Sequence, residues 1–414
     1  MFTMLFIAFL LVDILLRVWL ASRQIRYVQQ HRAQVPSEFA DRIALYSHQR
    51  AADYTTAKMQ FSIVERITEA AVLVGLTLLG GLQFIDLELG KLIDNEMLRQ
   101  LALIGVVLAL LGTIGLPFSA WNKFRLEARF GFNRVTPRLF VIDAIKTLVL
   151  TLSLGTPLAA AVLWIMGNTG PDWVWWAWAI WVAFNLLIIW LFPTVIAPLF
   201  NKFTPLQNAE IAQRIQSLAK RCGFSLSGLF VMDGSRRSAH GNAYFTGFGK
   251  TRRIVFFDTL LARLNVDEIE AVLAHELGHF KHKHVIKRMV ISFALALVFF
   301  IVLGWLSSQV WFYVQLGVIP QLGRPNDALA LILFFLAIPV FTFWVTPLVS
   351  WFSRRDEFQA DRYAVQQSSS AALVSALVKL YDDNAATLTP DPLHSAFYDT
   401  HPSAVRRIQN LKHA

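Results

Sequence analysis

Cysteine is almost missing from this chain: Cys222 is the only one in 414 residues. No internal disulfide can form, and any metal site must be built from histidine and carboxylates. Charge is scarce as well, at 16% Asp, Glu, Lys and Arg against 55% hydrophobic residues. Soluble domains usually carry about 25% charged residues, so this balance excludes an ordinary soluble protein of two or three domains. No internal repeat or low-complexity stretch is evident. The first apolar run, MFTMLFIAFLLVDILLRVWL, has no basic start and no small-residue cleavage site, and it carries Asp13 and Arg17. It is expected to remain as a helix rather than to be removed as a signal peptide.

What the chain does have is apolar runs of about twenty residues, enough to cross roughly 30 Å of hydrocarbon as helices. Seven spans are expected, at 2–20, 63–85, 99–119, 139–167, 174–198, 286–311 and 328–352. The loops alternate in charge. The first holds Arg23, Arg26, Arg32, Arg42, Arg50 and Lys58, and the third holds Lys123, Arg125, Arg129, Arg134 and Arg138. The second, IDLELGKLIDNEM, is acidic, and the fourth, NTGPD, has no basic residue. The positive-inside rule then puts the odd loops and the C-terminus in the cytoplasm. The same rule accounts for the net charge of +10, so no nucleic-acid partner is expected. The lipid bilayer is the expected environment.

Two polar regions remain, 199–285 and 353–414. With the spans 1–198 and 286–352 they give four segments. The first polar region reads as a helix (208–222), strands in LSGLFVMDG, NAYFTGFG and RRIVFFD, and a helix NVDEIEAVLAHELGHFKHKH. In that helix His275 and His279 lie one turn apart on one face, so both imidazoles reach one metal ion. Glu276 follows the first of them. This is the HExxH pattern of two zinc ligands and a general base. Gly278 leaves room for a neighbouring segment to approach. His282 and His284 lie in KHKHVIKR and read as a basic run beside the membrane.

A catalytic zinc needs a third protein ligand and an open fourth position. SRRDEFQADRYA (353–364) offers Glu357, at the start of a short helical stretch, with Asp361 one turn on. Glu357 would complete the ligand set, and Asp361 would accept a hydrogen bond from a ligand imidazole and fix its tautomer. Asp356 and Asp258 are rival ligands. The plainer alternative is that Glu357 and Asp361 are solvated charges paired with Arg354, Arg355 or Arg362. Glu65, Glu69 and Asp143 fall within or beside spans, where a carboxylate needs water or a cationic partner. The Trp-rich DWVWWAWAIW reads as an interfacial aromatic belt.

Several blocks, in this order, resemble the type I CAAX prenyl endopeptidases, integral-membrane zinc metalloproteases of the gluzincin group. They are LEARFGFNRVT (126–136), APLFNKFTPL (197–206) and SRRSAHGNAYFTGFGKTRRIVFFDTLL (235–261). VLAHELGHFKHKH, SRRDEFQADRYA and HSAFYDTHPSAVRRI (394–408) complete the series. The resemblance implies a mainly α fold. A bundle of seven transmembrane helices would enclose a chamber, closed by a cytoplasmic α+β gluzincin-type zinc protease domain with a small sheet.

It implies one Zn2+ held by His275, His279 and Glu357, with Glu276 activating water and Asp361 supporting a ligand. His401 would stabilise the oxyanion, with Arg407 nearby. Asn242, Ala243 and Tyr244 would form an edge strand to which a substrate peptide adds. The implied reaction is removal of the C-terminal tripeptide of a prenylated protein substrate. General quality control of membrane proteins is a second reading. A non-enzymatic membrane protein, its zinc closed by a fourth ligand such as His282, is a third. The expected location is multi-pass in a membrane, the bacterial inner membrane or, in a eukaryote, the ER, with the site facing the cytoplasm.

Overall fold

The computed structural model describes residues 1–246, 253–321 and 323–412. The GFGKTR part of the 235–261 block, at 247–252, lies outside the described residues. The chain opens with helices α1 (Phe2–Gln30), α2 (Leu45–Leu76), α3 (Gly81–Leu92), α4 (Glu96–Trp121), α5 (Pro137–Leu150), α6 (Thr156–Asn168), α7 (Trp173–Leu191) and α8 (Ala197–Phe200). The polar region holds β1 (Phe203–Pro205), α9 (Ala209–Arg221), β2 (Gly228–Met232), β3 (Ala243–Thr246), β4 (Arg253–Phe257), α10 (Asp258–Leu261) and α11 (Val266–Lys281). Then come α12 (His284–Ser307), α13 (Val310–Val314), α14 (Asp327–Thr342), α15 (Thr346–Gln367), α16 (Ser370–Asp383), α17 (Pro392–Tyr398) and α18 (Ala404–Lys412).

Among the described residues, six helical stretches are long and apolar enough to cross a membrane. They are Phe2–Gln30, Glu96–Glu127, Pro137–Asn168, Gly170–Phe200, His284–Ser307 and Asp327–Gln367. A seventh is reached only if α2 and α3, bent by 51° at their junction, count as one. The straight span expected at 63–85 is therefore broken in its second half. Gly80 sits at φ +78°, in the left-handed region where glycine carries no Cβ penalty. Two other spans keep their course through wide π-turns at Thr151–Gly155 and Phe192–Ile196. Pro157 and Pro193 lie beside or within those turns, which absorb the hydrogen bond a proline cannot donate. The exposed faces carry Leu148, Val149, Val290, Ile291 and Trp305, side chains suited to lipid.

The polar region is built on a four-stranded mixed sheet in the order β1-β2-β4-β3. β2 and β4 are parallel, and β1 and β3 pair antiparallel on the outside. One apolar core joins sheet and helices: Ile215 and Leu218 from α9, Phe256 from β4, Leu273 and Leu277 from α11, Ile408 from α18. α11 starts at a capping box, with Asn265 accepting from Glu268 N and Glu268 accepting from Asn265 N. It stops sooner than expected. Lys283 turns left-handed at φ +57°, and a new helix begins at His284.

The C-terminal end of the membrane part also differs from expectation. The span expected to stop at 352 runs on as α15, so Glu357 lies deep in a continuous helix rather than at the start of a short one. No Pro or Gly interrupts residues 348–367, so nothing breaks the backbone where the composition turns from apolar to charged.

Candidate active site

α11 and α15 pack so closely that Gly278 is required between them. A Cβ there would stand 2.9 Å from Ala360 Cα and 3.0 Å from Ala360 O. This contact brings Glu357 of α15 opposite His275 and His279 of α11. His275 Nε2 lies 3.2 Å from His279 Nε2 and 3.4 Å from Glu357 Oε2. His279 Nε2 lies 3.3 Å from Glu357 Oε1. Ligands on zinc at about 2.0–2.1 Å in tetrahedral geometry are separated by about 3.3 Å. The separation of the two imidazole nitrogens matches that figure, and each lies at a similar distance from a different oxygen of the Glu357 carboxylate.

The surroundings also fit a cation. His275 and Glu357 are buried, and a buried carboxylate needs a cation or hydrogen-bond donors close by. Each imidazole is turned by a further partner. His275 Nδ1 is 2.8 Å from Asp361 Oδ1, so the carboxylate holds the proton on Nδ1 and leaves the Nε2 lone pair towards the site. His284 Nε2 donates to Gln359 Oε1 at 3.0 Å, which leaves its Nδ1 to accept from His279 Nδ1 at 3.0 Å. His279 Nε2 therefore also presents a lone pair. His284 is buried and takes part in the site at one remove. Reading it as a charge beside the membrane missed this.

Asp361 is held in turn. Arg407 donates to both its oxygens, at 2.8 and 2.7 Å, and Arg407 Nη2 also stands 3.1 Å from His275 Nδ1. Burial opposes the charge on Arg407, but Asp361 overrides it and keeps the guanidinium above its usual pKa. Arg407 thus braces Asp361 inside the protein. Glu276 is half-buried, next in the chain to His275, with no hydrogen bond or ion pair among the described residues. His401, between α17 and α18, is largely exposed and brings Nδ1 to 2.8 Å from Glu357 Oε2. His275, His279 and His401 therefore gather around Glu357.

The strand expectation falls beside this cluster. Asn242 immediately precedes β3, and its carbonyl accepts from Phe257 N at 3.0 Å. Ala243 and Tyr244 pair with β4 through Phe256 and Val255. β3 is the outermost strand, and Phe245 packs on Phe280 of α11 at 5.1 Å. The rival ligands lie elsewhere. Asp356 pairs with Arg288 at 2.9 Å, and Asp258 accepts from Ser235 N at 2.8 Å. His282 stacks on His284 with ring centroids 5.5 Å apart. In the membrane part Glu69 pairs with Arg66, and Asp143 with Arg237.

Comparison with known proteins bears on both halves of the chain. The family described as CAAX prenyl protease N-terminal, five membrane helices, matches residues 24–202, and Peptidase family M48 matches residues 205–414. A CAAX prenyl protease 1 homolog of Oryza sativa is 35% identical, covering 94% of this chain and 93% of its own length. CAAX prenyl protease 1 of Saccharomyces cerevisiae is 31% identical over 95% of this chain and 91% of its own. The crystal structure of S. mikatae Ste24p superposes with a TM-score of 0.92 at 30% identity, covering 99% of each chain.

Proposed function

The chain belongs to peptidase family M48 and is a membrane metalloprotease of the CAAX prenyl protease type, and from that premise we propose how its site works and on what. The metal is one Zn2+ held by His275, His279 and Glu357. The observation that carries this is the set of three ligand-atom separations between 3.2 and 3.4 Å. When bound, zinc supplies a Lewis acid that lowers the pKa of water towards neutrality. Glu276 takes the proton from the attacking water on its carboxylate and later returns it to the leaving amine nitrogen. His401 donates a hydrogen bond to the oxygen of the scissile carbonyl as charge develops there. Asn242, Ala243 and Tyr244 receive the substrate as an added strand on the outer edge of β3.

The bent pair α2 and α3 forms the seventh span, and the spans enclose a chamber in which cleavage is shielded from bulk water. The charge alternation of the loops supports a cytoplasmic site. The substrate is the C-terminus of a prenylated protein, as the names of the relatives suggest. The reading is tested with a farnesylated C-a-a-X peptide and the same peptide unprenylated. Cleavage after the prenylated cysteine alone is expected. Equal cleavage of both at scattered bonds would turn the assignment to a broad membrane peptidase. Intact peptides in both tubes would refute the proposed substrate class.

A further inference from the structure

Next to the ligand cluster lies a separate cavity of about 370 Å3, walled by Pro390, Pro392, Pro402, Ser403 and two arginines, Arg354 and Arg406. Its lining residues adjoin the site in the chain. Arg354 is one turn before Glu357 on α15, about 4.5 Å along the axis, and Pro402 follows His401. Nothing acidic lines it. Arg354 Nη1 donates to the carbonyls of Ser395 and Asp399 at 3.1 and 2.7 Å, which anchors the guanidinium by one nitrogen. Its other two nitrogens donate to no group among the described residues. The Asp399 carboxylate acts on Arg354 only through space and does not line the cavity. Arg406 is exposed and makes no ion pair among the described residues. The prolines fix φ and stiffen the wall, so little ordering is left for a ligand to impose.

Two guanidinium groups that share a stiff, carboxylate-free cavity suit a planar anion, which Arg holds by paired hydrogen bonds. We propose that this cavity takes the free α-carboxylate of the peptide being cut, between Arg354 and Arg406. The inference rests on the endopeptidase reading above and adds what sets the cleavage position. An extended peptide advances about 3.3 Å per residue, so a three-residue leaving peptide spans about 10 Å. That is a fitting reach from the scissile bond near Glu357 to a cavity that begins one helical turn away. The enzyme thereby measures from the C-terminus to the bond it cuts. An anionic lipid headgroup is the other anion two arginines could hold. The place of Pro402 next to His401, and of Arg354 one turn before Glu357, favours the substrate.

The test uses the full-length protein with zinc and farnesylated peptides of one sequence, ended as the free acid, as the amide, or extended by two residues. The wild type is expected to cleave the acid about tenfold or more better than the amide, mainly through KM, and to lose rate on the extended peptide. Arg406→Gln is expected to bring the acid-to-amide ratio close to unity. Arg355→Gln, which changes a neighbouring charge outside the cavity, should keep the ratio. Equal wild-type rates on acid and amide would overturn the proposal. So would an Arg406→Gln effect that lowers both by the same factor, which would point to lipid or to packing. Failure of the endopeptidase reading would look different: no peptide would be cut, and this proposal would fall with it.

Discussion

A neutral imidazole has one lone pair, and its hydrogen-bond partner decides where that pair points. At His275 the partner is Asp361, 2.8 Å from Nδ1, and at His279 it is His284, 3.0 Å from Nδ1. Asp361→Asn should lower zinc affinity by about 10–100-fold, measured by competition with a chelating dye. It also leaves the Arg407 guanidinium buried without its carboxylate, at a stability cost of about 3–5 kcal/mol. Unchanged affinity and melting would refute both roles. His284→Ala should weaken zinc by a similar about 10–100-fold, with the same dye as the readout. The two residues differ in how legible they were. Asp361 follows Glu357 by one helical turn, so spacing could put it on the same face but could not separate a supporting role from a solvated charge. His284 lies five residues past His279, which on an unbroken helix is about 140° round the axis. Only the left-handed Lys283 swings it back, and no residue type announces that turn.

The helix pair α11 and α15 owes its closeness to Gly278. Gly278→Ala should force the helices apart, cost about 1–3 kcal/mol of stability and loosen Glu357 from the two histidines. Thermal unfolding read together with zinc content checks this, and a fully loaded variant melting like wild type would contradict it. The start of α11 is acid-sensitive. Burial pushes Glu268 and Glu270 upward, but Lys379 on Glu268 and Arg214 and Arg221 on Glu270 outweigh it, so both carboxyls lie below their usual pKa. A depressed carboxyl stabilises the fold above its unfolded pKa, about 4.3 for Glu. That contribution declines as pH falls below this value towards the folded one. Glu268→Gln should flatten the acid limb of the stability curve. The start of α11 was legible, since the helix expected from the sequence begins at Asn265, its N-cap. The break between α2 and α3 and the unbroken run of α15 were not. Apolar composition reports what faces lipid, not whether the backbone under it turns.

At the scale of the whole molecule, the loop charges assign the N-terminus and the NTGPD loop to one side and the catalytic region to the other. In a Cys222→Ser background, Asn168→Cys should react with an impermeant maleimide on intact cells and Tyr46→Cys should not. The reverse pattern would invert the topology. Sequence exposed the metal-binding motif and most of the spans because both depend on short, regular spacing. The meeting of α11, α15 and α18 joins residues more than a hundred positions apart, as Arg407 and His275 do, and spacing carries no trace of it. The most direct test of the account measures zinc content and peptide cleavage together in the wild type and in Glu276→Gln. The account predicts one zinc per chain in both, with cleavage lowered at least about a hundredfold in the variant. A zinc-loaded Glu276→Gln that cleaves at the wild-type rate, or an active wild type without zinc, would contradict it.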